Sequence, residues 1–328
     1  MGIALEFRDI YLARRRIRGV VRRTPLETSP FFSEACRGEA YLKLENIQLT
    51  GSFKIRGALN KMLQLSPEER RKGIITASAG NHAQGVGYGA KMFGVGATVV
   101  VPRNTPKTKI EAIRRYGVDL RVHGDDYDEA ERKARELERE LGKVYVSPYN
   151  DCEVIAGQGT VGLEMWEEKS DLDVVLVPVG GGGLISGIAL AIKSLNPKVR
   201  VVGVQSKASP VMYESIKQGK IVEIPMEESI AEGLHGGIEK GSVTFNLVKE
   251  LVDDILLVEE EDIETAILLF LEHQHQVVEG AGAVGLAALL KQKERFRGQK
   301  VGVVVSGGNI DISLMRKMLC KREEERDY

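Results

Sequence analysis

The chain is poor in cysteine: Cys36, Cys152 and Cys320 are scattered through 328 residues and odd in number. They cannot all pair, and no two have the spacing of a metal-ligand set. Neither a disulfide framework nor a cysteine-based metal centre is expected, and the pattern suits a reducing, cytoplasmic compartment. Net charge is nearly absent as well. The 46 Lys and Arg against 47 Asp and Glu leave −1 at pH 7, which gives no field to draw nucleic acid or an anionic membrane. No apolar run reaches the roughly 20 residues of a membrane helix, and the N-terminus lacks a charged-then-apolar signal pattern. Internal repeats and low-complexity linkers are missing. His273 and His275 are two apart, which puts them on different sides of a helix as packing or surface residues rather than a metal pair. The basic runs at 14–16 and 22–23 read as solvated faces.

What is present is a large apolar content, 43%, enough for one large or two medium cores. Strand-like and helix-like segments alternate, which argues for α/β architecture with parallel sheets. One block is clear over residues 73–147. It holds a strand at 74–76, a helix from Asn81, a strand at 97–101, a helix from Pro106 and a strand at 118–122. A charged helix over 125–141, its start suited by Asp125 and Asp126, and a strand at 144–146 complete it.

Four segments carry chemistry. In residues 46–60, Lys54 follows a Thr-Gly-Ser turn and Phe53, then opens a helical pattern. A lysine presented this way can form an imine with an aldehyde, and the natural aldehyde is pyridoxal phosphate; the plain alternative is a solvated lysine at a helix start. In residues 173–187 a buried strand runs into Gly180, Gly181, Gly182 and Gly183, followed by an apolar helix. Four glycines let backbone N–H groups converge at a helix N-terminus, as in a phosphate cradle; a tight turn would need one or two. No Lys-Ser or Lys-Thr follows, so it is not a Walker loop, and Ile185 stands where a dinucleotide fingerprint needs a small residue. Residues 78–87 place Asn81 and His82 in a first helical turn, where anions bind well. The Gly85-Val86-Gly87-Tyr88-Gly89-Ala90 run there lies too deep in a helix for a dinucleotide turn and reads as close helix packing. Ser306 ends an apolar strand at 300–305, the position that faces the ligand crevice of an open α/β sheet.

With residues 154–160, 231–233, 251–255 and 279–288, these segments resemble, in order and over nearly the whole chain, the serine/threonine dehydratase branch of the fold-type II pyridoxal-phosphate enzymes. The resemblance implies two open parallel-sheet domains with the cofactor in the cleft between them. The large domain would be 1–72 and 148–328, and 73–147 a small mobile domain that closes over substrate. Lys54 would hold the cofactor covalently and, once released, take the α-proton. Gly180 to Gly183 with Leu184 would hold its phosphate, Asn81 its 3-oxygen and Ser306 its pyridine nitrogen. Phe53 and Gly233 would lie against the ring, and Glu279 would orient the ring or its 3-oxygen network. Ser78, Ala79, Gly80, Asn81 and His82 would receive the substrate carboxylate, with Tyr149 either facing substrate or simply packing. The implied activity is elimination of water from L-threonine or L-serine, giving 2-oxobutanoate or pyruvate and ammonia, with the leaving hydroxyl protonated by the cofactor phosphate. A hydroxyl at 306 cannot protonate the ring nitrogen as a carboxylate partner would, which favours prompt β-elimination. A homodimer or tetramer is implied as well.

Departures narrow the reading. Serine racemases of this family carry a second serine where this chain has Ala79, and a methyl group delivers no proton. Gln205 and Val211 stand where relatives with a divalent cation have acidic ligands, so no metal site is expected. About twenty residues follow Ser306, so a C-terminal regulatory domain is not expected. The alternatives are a racemase, a dehydratase of hydroxyaspartate or phenylserine, or a non-catalytic protein that binds pyridoxal phosphate or an amino acid. Joint retention of Lys54, Asn81, the glycine loop and Ser306 argues against the last.

Overall fold

The computed structural model describes residues 5–326. Helix α1 (Phe7–Ile17) leads to strand β1 (Leu26–Thr28), helix α2 (Pro30–Cys36) and β2 (Glu39–Leu44). Next come α3 (Lys54–Met62), α4 (Pro67–Lys72), β3 (Ile74–Ala77), α5 (Asn81–Phe93), β4 (Ala97–Val101), α6 (Lys107–Arg114), β5 (Asp119–Val122), α7 (Tyr127–Leu141) and β6 (Val144–Tyr145). The chain returns through α8 (Cys152–Glu168), β7 (Val174–Pro178), α9 (Gly183–Leu195), β8 (Arg200–Ser206), α10 (Val211–Gln218) and α11 (Val243–Leu251). It ends with β9 (Asp254–Val258), α12 (Glu260–Gln274), α13 (Gly280–Lys291), β10 (Lys300–Val305) and α14 (Ile312–Arg326).

Two sheets result. The larger has the order β1-β2-β10-β7-β8-β9 and the smaller β5-β4-β3-β6. All pairs are parallel except β1 with β2. That antiparallel edge strand is only three residues long, too short to leave an alternating signature, and a short strand blunts an open sheet edge. Central strands covered on both faces read as continuous apolar runs. In β7 and β10 every residue but Lys300 is buried. Helices α2, α12 and α13 cover one face of the large sheet, and α8, α9 and α11 the other. Each fully buried aliphatic side chain there contributes roughly 1.5–3 kcal/mol of transfer free energy.

The small sheet lies wholly within residues 74–145, but its core does not. Ile55, Ala58, Leu59 and Met62 of α3 and Val154 of α8 pack with Val86, Ala90, Ile74 and Ala97. Helix α3 therefore belongs to the cores of both halves. It approaches α8 closely because both carry glycine at the crossing: a Cβ at Gly157 would lie 2.6 Å from Gly57 Cα and 2.6 Å from Arg56 O. The charged helix α7 begins at Tyr127, later than the charge pattern suggests. The Asp126 side chain caps it by accepting from Glu129 N at 2.9 Å, which leaves Asp125 outside the helix. His273 stacks on Phe31, with ring centroids 3.7 Å apart, and His275 ends α12 in a left-handed conformation.

Beneath α3 lies an ion network that composition did not reveal. Arg56, Lys43 and Glu45 are fully buried. Arg56 Nη2 meets Glu45 Oε1 at 2.8 Å, Arg56 Nη1 meets Glu164 Oε1 at 2.7 Å, and Lys43 Nζ meets Glu164 Oε2 at 2.8 Å. Two positive and two negative groups satisfy one another, which burial requires.

Candidate active site

A cleft of about 1820 Å³ opens where the carboxyl ends of β3, β7 and β10 face one another. It is lined by Phe53, Lys54, Ser78, Ala79, Gly80, Asn81, His82 and Tyr149, by Gly180 to Leu184, and by Gly233, Glu279 and Ser306. The separate sequence segments thus converge on a single space.

Lys54 opens α3 from the floor of the cleft, and its amine donates to Pro148 O at 2.9 Å. The residue before it is pinned: Phe53 N donates to Ser306 O at 3.1 Å, and Ser52 bridges Gly307. Lysine and serine are therefore held side by side by backbone bonds between segments some 250 positions apart. Desolvation pulls the Lys54 ammonium down to about 8, and the nearby Glu279 carboxylate only partly offsets it. Ser306 is buried, with its hydroxyl 3.3 Å from Ala281 O.

The glycine loop joins β7 to α9. The amides of Gly180, Gly181 and Gly182 donate to no partner among the described residues, and the first N–H groups of α9 are free by helix geometry. Gly182 has φ +88, a left-handed conformation that turns the chain into the helix. A methyl group at Gly181 would fall 2.5 Å from Tyr149 Cγ. The Tyr149 ring thus lies against the loop, and its hydroxyl accepts from Glu239 N at 2.9 Å. Orphaned amides around a side-chain-free turn fit an anionic phosphate, so the residues present suit pyridoxal phosphate.

On the opposite wall, Asn81 Nδ2 donates to Glu279 Oε1 at 2.6 Å. Burial pushes the Glu279 carboxyl up to about 7, although the bond from Asn81 works the other way. His82 lines the cleft, and its side chain turns toward β6. It is buried, its Nε2 bonds to Val146 O at 2.9 Å, and burial followed by the Lys54 charge lowers it to about 3. Only the backbone of His82 is left to meet an anion. Gln205, in the stretch considered for a cation, is committed to Ser209 O and Tyr213 N.

Three participants escaped the sequence reading. Pro148 offers only a carbonyl. Thr244 Oγ1 donates to Gly181 O at 2.7 Å from 63 positions away. Asn309 donates to Asn81 Oδ1 at 2.7 Å, and its place after Ser306 and two glycines was the one available signal.

Fold and cleft together define an enzyme built around a partly buried, desolvated lysine and an anion cradle. A family model described as pyridoxal-phosphate dependent enzyme matches residues 17–307, and the chain belongs to that family. It is 49% identical over 320 residues to the L-threonine ammonia-lyase of Thermotoga maritima, covering 97% of this chain and 79% of that one. It is 45% identical over 307 residues to the catabolic L-threonine dehydratase of Escherichia coli, covering 93% of each. Among solved structures, maize serine racemase superposes with a TM-score of 0.91 at 36% identity, covering 99% of this chain and 100% of that one.

Proposed function

We propose that this protein is a pyridoxal-phosphate-dependent dehydratase of L-threonine and L-serine, releasing ammonia and 2-oxobutanoate or pyruvate. One observation carries the reading: the Lys54 amine, lowered to about 8, sits in the cleft across from an unpartnered glycine-loop amide cluster and beside Ser306. Bound there, pyridoxal phosphate withdraws electrons from the substrate α-carbon and acidifies its proton.

The chain's own groups supply the rest. The amides of Gly180 to Gly183 and the start of α9 hold the phosphate. Asn81 would donate to the ring's 3-oxygen, and the Ser306 hydroxyl would meet the ring nitrogen without a charge to place on it. Phe53, Gly233 and Glu279 line the cleft and would lie around the ring. The amides of Ala79, Asn81 and His82 would receive the substrate carboxylate, since Ser78 N already donates to Val100 O and Gly80 N to Ser78 Oγ. The Lys54 amine, neutral in an appreciable fraction near pH 7, removes the α-proton. Ala79 has no proton to return on the opposite side, so elimination prevails over racemisation. Exclusion of water is the task of the segment 73–147, which moves as a small domain against the remainder.

The purified protein is expected to absorb visible light through lysine-bound cofactor and to release ammonia from L-threonine and L-serine. A substrate panel that includes hydroxyaspartate and phenylserine separates those alternatives, and chiral analysis after incubation with L-serine should find little D-serine. Visible absorbance with no ammonia from any 3-hydroxy amino acid would leave a binding protein instead.

A further inference from the structure

Asn81 is gripped at both ends of its amide. Its Oδ1 accepts from Asn309 Nδ2 at 2.7 Å, and its Nδ2 donates to Glu279 Oε1 at 2.6 Å. Asn309 is itself fixed, because Nδ2 also donates to Thr50 O at 2.9 Å, which uses both of its N–H groups. The surrounding backbone holds this arrangement. Gly308 N donates to Gly51 O at 2.9 Å, and Glu279 N to Gly307 O at 3.1 Å. A methyl group at Gly307 would stand 2.2 Å from Glu279 Oε1 and 3.2 Å from Asn81 Nδ2, so the polar chain passes directly over the residue that follows Ser306.

A primary amide has a donor end and an acceptor end. The Asn309 donor against Oδ1 selects one orientation, and Glu279 reinforces it when ionised. The flipped amide would set N–H against N–H and oxygen against carboxylate, leaving groups unsatisfied at both ends. In the permitted orientation Asn81 Nδ2 keeps one N–H free in the cleft that Asn81, Glu279 and Asn309 all line.

We propose that Asn309 is a positioning residue that locks the Asn81 amide with its donor end toward the cleft, so that an anionic ring oxygen of the bound cofactor meets a hydrogen-bond donor. The inference rests on the functional reading above, in which Asn81 faces the cofactor's 3-oxygen. The lock also spans the two halves of the molecule. Asn81 starts α5 beside the small sheet, whereas Asn309 follows β10 of the large one. The donor is thus correctly aimed only while the two halves are together.

The test uses the cofactor-loaded enzyme with Asn309→Asp and Asn309→Ala. A carboxylate at 309 would attract the Asn81 amide nitrogen and turn the oxygen toward the cleft. Losing a hydrogen bond to the anionic form raises the pKa of the group that shares its proton. The pH midpoint of the lysine-bound absorbance band is therefore expected to rise by roughly one unit in Asn309→Asp, and pyridoxal phosphate to bind about tenfold more weakly. Asn309→Ala should show the same direction at smaller size, because water can stand in for the lost amide. In an Asn81→Ala background, Asn309→Asp should add nothing to the midpoint, since the two residues act as one unit. An unchanged midpoint in both Asn309 variants, or a full additive shift in the Asn81→Ala background, overturns the proposal. A parent protein without lysine-bound absorbance refutes the cofactor reading itself and the proposal with it.

Discussion

The Lys54 side chain shows how one residue's surroundings set both reactivity and stability. Its ammonium falls from an ordinary 10.5 to about 8 because the cleft floor strips water from it, and Glu279 only partly restores the charge. Between those two values the unfolded chain holds a proton that the folded chain has lost, so stability of the cofactor-free protein rises with pH across that window. Below about 8 both states are charged and the desolvation cost is present in full. Lys54→Met should therefore raise the melting temperature of cofactor-free protein at pH 7, and the gain over parent should shrink as pH approaches 10.5. A gain that grows with pH would contradict the assignment. Capture of pyridoxal phosphate needs the neutral amine, so its rate should climb with a midpoint near 8 in a stopped-flow pH series. Lys54→Ala should remove the visible band and cut ammonia release by roughly 10³-fold or more.

At the level of elements, glycines decide how closely parts can approach. Gly181→Ala would drive a methyl group into the Tyr149 ring and displace the amide cluster. The expected result is at least a tenfold weaker pyridoxal-phosphate affinity, read by fluorescence or absorbance titration, with about 1–3 kcal/mol of lost stability. Gly157→Ala acts elsewhere, against Gly57 and the Arg56 carbonyl. It should cost about 3 kcal/mol in urea unfolding, since backbone cannot yield as a side chain does. Most elements were legible beforehand because their signals are local. The runs forming β7 and β10 are apolar throughout, α7 has an aspartate cap, and the glycine loop sits between a strand and a helix. The converging segments of the cleft were legible through their resemblance to a known family. What remained hidden depends on partners distant in sequence. The antiparallel β1, the Thr244 bond to Gly181 and the turn of His82 toward Val146 are all fixed by segments that no local pattern connects.

For the whole molecule, the buried network of Lys43, Glu45, Arg56 and Glu164 ties β2, α3 and α8 into one body. Arg56→Met would leave Glu45 without its cation and Glu164 with Lys43 alone, a change that costs about 3–5 kcal/mol when a buried pair is broken. Chemical denaturation should register that loss, whereas a midpoint equal to the parent's would mean that water reaches the carboxylates. The same helix contributes Ile55, Leu59 and Met62 to the core beneath the small sheet. A chimaera that borrows residues 73–147 from a relative must therefore bring residues 54–62 along as well. A graft cut at the visible edge of the sheet would leave the donor's hydrophobic underside facing a foreign helix, and the helix that carries the reactive amine would register the mismatch first.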